Sequence, residues 1–318
     1  MRRALISAIL CSSGLLAQTQ TCSRTIPVEV LNEDGNPILG VTASDLSVKA
    51  DGKTAEIVGM LQKENPRIVL ILDRSSSMEV DAENKLAPFS WQLADDILHR
   101  IPRDTLLGVV VFDEKATVIK AEDWQSVYEQ FLASLTPESK RKTALWDAIE
   151  TAEKLFDPPQ PGDSILVISD GGDNQSHHPE QERKRLQWSG IRLFGIVVTQ
   201  WTYPTLGWMS LDRVQLPGAA PVQGRIDEIP MDEISGLKDF IETAEQTGGL
   251  MVAANRHRRS GGAVNSLFPI IEHYYLATLS TNTRSDKPWL QLKMTKSKGV
   301  LKNAQLVSRR QLLPCPAP

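Results

Sequence analysis

The central part of the chain contains short apolar runs with few polar interruptions. The clearest of them is Ile68-Val69-Leu70-Ile71-Leu72. An unbroken run of this length is typical of a strand that is buried on both faces, as strands of a parallel sheet are. The same pattern predicts strands at residues 67–72, 106–112, 164–169, 193–199 and 250–253, with a short one at 116–119.

Longer segments with helical character separate these runs. In most of them apolar residues recur once per helical turn, and one segment, residues 180–188, is mostly polar. They predict helices at residues 86–101, 124–135, 144–156, 180–188, 234–246 and 264–271. Because strands that alternate with helices form a parallel sheet covered on both faces, we predict an α/β fold with a doubly wound, mostly parallel sheet.

Both ends of the chain are rich in short strands instead. Residues 24–62 have the pattern of short strands separated by turns, and strand patterns return near the C-terminus at residues 274–279, 289–294 and 304–307. Neither flank is long enough to bury a core alone. We therefore predict that 18–63 and 273–318 pack together as one small β domain, beside a central domain at 64–272.

Residues 200–233 break the alternation of strands and helices. They contain Trp201, Tyr203 and Trp208 but show no clear periodicity. A loop of this length inside a compact domain is uncommon, and it is either functional or mobile. Its aromatic side chains fit a partner-binding surface, or a cover over the edge of the sheet.

The N-terminus has the layout of a secretory signal. Arg2 and Arg3 precede an uncharged, apolar stretch that ends at Ala17. We predict a signal peptide at 1–17, cleaved after Ala17, and export to the medium, the periplasm or the cell envelope. The apolar stretch is short for a membrane span, and an uncleaved anchor is the alternative.

Composition narrows the class of protein. The 318 residues are 41% hydrophobic and 23% charged, as in a soluble globular protein, and the net charge of −4 argues against a nucleic-acid binder. Of the three cysteines, Cys11 lies in the predicted signal, which leaves Cys22 and Cys315 near the two ends of the mature chain. In an oxidising compartment these two cysteines either form a disulfide or stay as free thiols on the chain ends.

Oxygen-bearing side chains follow two of the predicted strands. Asp73, Ser75 and Ser77 come directly after the first buried strand, Asp170 follows a later one, and Thr143 lies on a loop that enters a helix. The carboxyl ends of strands meet at one edge of an open α/β sheet, where ligands bind. Carboxylates and hydroxyls are hard ligands that suit Mg²⁺, with Mn²⁺ or Ca²⁺ as further candidates. Such an ion keeps a coordination position for an acidic group of a partner.

In these residues the chain resembles a von Willebrand factor type A (VWA) domain with its metal-ion-dependent adhesion site (MIDAS). The resemblance extends over about residues 64–272, and the flanks are similar to those of the exported bacterial VWFA-related (acidobacterial-type) group. It implies a central sheet of about six strands and a partner bound through a divalent cation. The metal ligands that it implies are Asp73, Ser75, Ser77, Thr143 and Asp170. The family commonly has Gly before the Thr, whereas this chain has Lys142.

Other polar side chains lie close to these motifs. Arg74, Lys142, Asp173 and Asn174 are candidates for a rim that contacts the partner, although Asp173 and Asn174 are also common turn formers. The pair His177-His178 has no third metal ligand at a recognised spacing, which favours a surface pair over a transition-metal site.

Three functions fit these features. The first is an exported binding module that recognises a protein or matrix partner through a divalent cation. The second is a structural subunit of an envelope assembly. The third is a metal-assisted hydrolase, for which the sequence offers no evident general base, activated nucleophile or second metal cluster. We therefore expect a binding protein rather than an enzyme.

Overall fold

A computed structural model gives the structure of the chain. It describes residues 22–75, 78, 89–120, 128–129, 142–199, 208–209, 231–255, 261–281, 288–295 and 299–313. The predicted signal at 1–17 and most of the segments 124–135 and 200–233 lie outside the described residues, as do Ser77 and Cys315.

The described strands and helices alternate in the centre of the chain, and strands predominate at both ends. In chain order they are β1 (Cys22–Leu31), β2 (Leu46–Ala50), β3 (Lys53–Glu64), β4 (Ile68–Asp73), α1 (Phe89–Leu98), β5 (Leu106–Phe112), β6 (Ala116–Ile119), α2 (Leu145–Glu153), β7 (Ser164–Ser169), α3 (Pro179–Ser189), β8 (Arg192–Thr199), β9 (Trp208–Met209), α4 (Met231–Thr247), β10 (Met251–Asn255), α5 (Gly261–Glu272), β11 (His273–Thr281), β12 (Leu290–Met294) and β13 (Gln305–Ser308).

The central sheet has the strand order β6-β5-β4-β7-β8-β10-β9. Its five inner strands are parallel, and β6 and β9 run antiparallel at the two edges. The predicted α/β fold class is therefore confirmed. The sheet has seven strands where about six were expected, because β9 joins from within the segment 200–233. Two residues are too few to produce a periodic pattern in the sequence.

Helices cover both faces of this sheet. Every residue of β4 and β7 is buried, which explains why both strands are unbroken apolar runs apart from their terminal serines and aspartate. The apolar faces of α1 and α5 pack on one side, and those of α2, α3 and α4 pack on the other. The carboxyl ends of the parallel strands are thus held in a rigid frame.

The flanking strands form a second, antiparallel sheet in the order β12-β2-β3-β11-β1-β13. Strands from before and after the central segment are neighbours in it, as expected if the two flanks pack together. The edges of the sheet also meet, because Leu290 N donates to Arg310 O (2.9 Å) and Leu312 N donates to Pro288 O (3.0 Å). The sheet closes around its own apolar core, which includes Ile26.

Buried polar contacts join the two sheets. Arg192, on β8, is fully buried and forms an ion pair with Glu29, on β1. Its Nη2 also donates to Gly162 O and to Ser164 Oγ, both at 2.9 Å, and its guanidinium lies 4.3 Å from the ring centre of Tyr274. The two sheets are therefore connected by a charged side chain that water does not reach.

None of the helices in the described part of the chain has the length and apolarity that a membrane crossing requires.

Candidate metal centre

The strands β4 and β7 bring two of the predicted ligands, Asp73 and Asp170, to one edge of the sheet. They are parallel neighbours, and Leu72 lies opposite Ile168. Asp73, the last residue of β4, and Asp170, the residue directly after β7, therefore lie at the same edge of the sheet. The register of two parallel strands thus places two carboxylates together that are far apart in the sequence.

Asp73 is held by hydroxyl and amide groups in a site without water contact. Its side chain is fully buried, its Oδ1 accepts from Ser75 N (2.7 Å), and its Oδ2 accepts from Ser169 Oγ (2.6 Å). Burial, together with the negative charge of Asp170, raises the pKa of Asp73 to about 7, and the hydrogen bonds from Ser169 and Ser75 oppose this shift. A carboxylate in this position is costly unless a cation accompanies it.

The turn after β7 presents the second carboxylate. Oδ1 of Asp170 accepts from Gly172 N (3.1 Å), which orients the side chain at the start of the turn. Gly171 has φ of +84°, and a Cβ there would lie 2.9 Å from Leu237 Cδ1. Glycine is therefore required at 171, both for the backbone conformation and for the close packing of α4.

Thr143 is buried and bound to the same turn through its backbone. Its N–H donates to Asn174 Oδ1 (3.0 Å), and its carbonyl accepts from the N–H groups of Asn174 (3.0 Å) and Gln175 (3.1 Å). The loop that carries Thr143 and the loop that carries Asp170 are thus directly joined.

The start of α2 is capped by residues from this loop. Ala144 occupies the N-cap position and has no side chain that could accept a hydrogen bond. Leu145 N instead donates to Asp173 Oδ1 (3.2 Å), and Trp146 N donates to Ser176 Oγ (3.0 Å). Asp173 and Ser176 therefore satisfy helix N–H groups that the local sequence leaves open.

Two residues with clear structural roles near the site were missed by the sequence analysis. Ser169 orients Asp73, and Ser176 caps α2. Ser169 ends a predicted strand directly before Asp170, which is a local signal that could have identified it. The role of Ser176 depends on a contact 30 residues away in the chain.

The candidate rim residues have partners within the chain. The guanidinium of Arg74 forms an ion pair with Asp113, at 3.0 Å between Nε and Oδ2, and both side chains are mostly buried. Lys142 Nζ donates to Gln175 Oε1 (3.1 Å) and is exposed. Asp173 and Asn174 accept the hydrogen bonds described above, so both side chains stabilise contacts within the chain in this structure.

A cleft of about 530 Å³ is lined in part by residues of α2. Asp147 and His177 both line this cleft, and His177 Nδ1 lies 2.6 Å from Asp147 Oδ2. The carboxylate of Asp147 raises the pKa of His177. None of the residues that line it is a predicted metal ligand; they are Glu114, Lys115, Ala116, Asp147, Glu150, Thr151, His177, His178 and Glu182. The cleft is therefore distinct from the candidate metal centre.

The donor set at the sheet edge fits a hard divalent cation. Asp73 and Asp170 supply carboxylates, and Ser75 and Thr143 supply hydroxyls. Within the described ranges, no group of three or more His, Cys, Asp or Glu side chains is arranged to hold a metal. Two carboxylates with neutral oxygen ligands suit Mg²⁺ or a similar ion better than zinc, which prefers nitrogen and sulfur ligands.

A comparison with protein families agrees with this fold. Residues 68–214, a little under half of the chain, match the sequence model of the von Willebrand factor type A domain. Among curated proteins, no sequence matches this chain.

Solved structures that match this chain share little sequence with it. An aerotolerance-related membrane protein from Bacteroides fragilis is 20% identical, with 65% of this chain and 98% of that chain covered and a TM-score of 0.43. BatB from Bacteroides thetaiotaomicron is 21% identical, with 63% and 95% covered and a TM-score of 0.40. Proximal thread matrix protein 1 from the mussel byssus, with a zinc-occupied MIDAS motif, is 17% identical, with 69% and 49% covered and a TM-score of 0.43. No functional assignment rests on similarities this distant.

Proposed function

We propose that this protein is an exported binding module of the VWA type, which recognises a protein or matrix partner through a divalent cation. The proposed ion is Mg²⁺, with Mn²⁺ or Ca²⁺ as alternatives. Ser77 is included among the proposed metal ligands on the basis of the sequence motif alone. The proposed ligands are Asp73, Ser75, Ser77, Thr143 and Asp170.

The main support is the position of two carboxylates at one buried edge of the sheet. Asp73 and Asp170 repel each other there, and the burial of Asp73 excludes the water that would screen the repulsion. The hydrogen bonds that Asp73 accepts from Ser75 and Ser169 bring no positive charge. A divalent cation beside both carboxylates offsets this cost, and neutral hydroxyl ligands complete its shell without cancelling its charge.

We propose that the partner contributes an acidic side chain to the ion. Two protein carboxylates balance the formal charge of a dication, and Mg²⁺ prefers oxygen ligands in an octahedral shell. A third carboxylate from outside gains a direct bond to the ion. Binding of the partner then depends directly on the cation, and the side chains of this protein hold the cation in place.

We also propose export through the signal at 1–17 and a disulfide between Cys22 and Cys315. Cys22 is buried at the start of β1. Arg24 Nε donates to the carbonyl of Leu313 (2.6 Å), so the C-terminal end of the described chain lies against β1. This contact supports Cys315 rather than Cys11 as the bonding partner.

Removal of either carboxylate should abolish cation binding without unfolding the protein. We expect purified wild-type protein, freed of metal with EDTA, to bind one Mg²⁺ per chain, and Asp73→Ala and Asp170→Ala to show no measurable binding by isothermal titration calorimetry. Both changes leave the buried apolar residues of the strands in place, so circular dichroism should report an unchanged fold.

Asp147→Ala is the matched control, because it removes a nearby carboxylate that interacts with His177 rather than with the proposed ion. It should retain wild-type affinity for Mg²⁺. Wild-type affinity in Asp73→Ala or Asp170→Ala would refute the assignment of the site.

The same variants test the binding role. Immobilised wild-type protein should capture a partner from the native envelope in Mg²⁺, and it should lose that partner in EDTA or with Asp170→Ala. A partner retained equally in EDTA would place recognition on another surface. Hydrolytic turnover that disappears with Asp170→Ala would favour an enzyme instead.

A further inference from the structure

Thr143 is tied to the turn after β7 by three hydrogen bonds, and one of them uses a side chain. Asn174 Oδ1 accepts from Thr143 N (3.0 Å), while the other two join backbone groups. Asn174 lies four residues after Asp170 in the sequence. The same short turn therefore begins with one proposed metal ligand and fixes the backbone of another.

The neighbourhood of Thr143 leaves little freedom for its backbone. Ala144 N donates to Asp113 O (2.8 Å), so residues 143 and 144 are held from two sides. Thr143 is buried, at 5% exposure of the whole residue. Groups that orient a metal ligand typically contribute strongly to metal affinity, since a hard octahedral ion tolerates small displacements poorly.

We infer, on the basis of the proposed cation site, that Asn174 is a positioning residue for the metal centre. Its carboxamide oxygen fixes the amide of Thr143 and thereby places the Thr143 hydroxyl toward the ion. Asn174 acts through Thr143, and it is neither a metal ligand nor a partner contact. This role differs from the rim position that the sequence suggested.

Asp173, the neighbouring candidate for the rim, has a different structural role. Its Oδ1 accepts from Leu145 N (3.2 Å) and from Ser176 Oγ (2.7 Å), so it stabilises the start of α2. Substitution of Asp173 would disturb the helix itself. Asn174 is therefore the cleaner position at which to test how Thr143 is placed.

A double-mutant cycle separates positioning from general stability. We expect Asn174→Ala to weaken Mg²⁺ binding about 10-fold, at the lower end of the effect of groups that orient metal ligands. Thr143→Ala should cause a similar loss, and the double variant should bind no more weakly than Thr143→Ala. Once the hydroxyl is gone, Asn174 has nothing left to position, so the two effects should not add.

Two further variants complete the design. Asn174→Asp should bind Mg²⁺ as well as wild type or better, because an aspartate oxygen still accepts the Thr143 N–H. Gln175→Ala should have no effect, because it removes only a side-chain contact with Lys142 and keeps the backbone hydrogen bond to Thr143.

Hydrogen exchange of the Thr143 amide gives a readout that needs no metal. In the metal-free protein the amide should be protected in wild type and in Asn174→Asp, and it should exchange faster in Asn174→Ala. Faster exchange with unchanged Mg²⁺ affinity would overturn the positioning role, and so would additive losses in the cycle. Failure of wild type itself to bind Mg²⁺ or Mn²⁺ would instead refute the proposed cation site, and the role of Asn174 with it.

Discussion

At the scale of single residues, Arg192 shows how one buried charge can join two sheets. Its guanidinium contacts Glu29, backbone and hydroxyl oxygens and the ring of Tyr274 without exposure to water. Burial raises the pKa of Glu29 to about 7, and the contact with Arg192 opposes that shift. A buried pair of this kind adds little net stability, but the loss of one partner leaves the other charge uncompensated.

We therefore expect Arg192→Met to destabilise the protein by about 3–5 kcal/mol, which is the usual cost of breaking a buried ion pair. Glu29→Gln combined with Arg192→Met should cost less than Arg192→Met alone, since the isolated carboxylate is then gone. Urea denaturation at pH 7.5, followed by circular dichroism, measures both free energies of unfolding.

Arg183→Met is the control at a more exposed pair with Asp239, where we expect a loss below about 1 kcal/mol. Equal losses for Arg183→Met and Arg192→Met would show that burial of the Glu29–Arg192 pair has no special energetic weight.

At the scale of elements, α2 and α3 meet across a cluster of charges in which acids outnumber bases. Glu150 and Glu153 of α2 and Glu182 of α3 all contact Arg185. Glu153 is mostly buried, and burial raises its pKa from the usual 4.5 to about 7. The positive charge of Arg185 lowers this pKa, and the negative charges of the other two glutamates raise it. The packing of these two helices is therefore sensitive to pH.

The sign of this dependence follows from proton binding. Between pH 4.5 and 7 the folded state keeps a proton on Glu153 that the unfolded state has released, so stability falls as the pH rises through this window. Glu153→Gln cannot titrate. The free energy of unfolding of this variant, relative to that of wild type, should therefore increase as the pH rises from 4.5 to 8, by up to about 3 kcal/mol.

Urea denaturation of both proteins in EDTA, at several pH values, tests this expectation. Glu180→Gln, at an exposed position of α3, should show no such pH-dependent difference. A stability difference between Glu153→Gln and wild type that stays constant with pH, or falls as the pH rises, would contradict the assignment.

At the scale of the whole molecule, the two ends of the chain share one sheet. β1 pairs with β11 on one side and with β13 on the other, so the N-terminal strand lies between two C-terminal ones. A Cys22–Cys315 disulfide would fix this arrangement covalently across almost the full length of the chain. Such a bond stabilises mainly by restricting the unfolded state.

We expect peptide mapping of the exported protein under non-reducing conditions to recover one linked peptide that contains Cys22 and Cys315. Cys22→Ser should lower the free energy of unfolding by about 2–5 kcal/mol, and wild type in reducing agent should behave like the variant. A Cys11–Cys22 link, or free thiols at both positions, would show that the chain ends are joined by strand pairing alone.

Local patterns in the sequence were enough to predict the central architecture. Residues 164–169 form a strand with the predicted limits, because a strand buried on both faces needs an uninterrupted apolar run. The proximity of Asp73 and Asp170 could also be predicted, since the carboxyl ends of parallel strands share an edge. Both predictions depend only on residues that are neighbours in the chain, or on a general rule of parallel sheets.

Contacts between distant segments were decided by the tertiary structure. Glu29 and Arg192 are 163 positions apart, and neither residue has a local feature that identifies its partner. The same is true of Asn174, which holds Thr143 across 31 positions, and of Ser176, which caps a helix that begins at Leu145. A hydrogen bond between distant segments depends on where the whole backbone passes. Packing of the two sheets and their helices therefore sets these contacts, and no periodicity in the sequence records them.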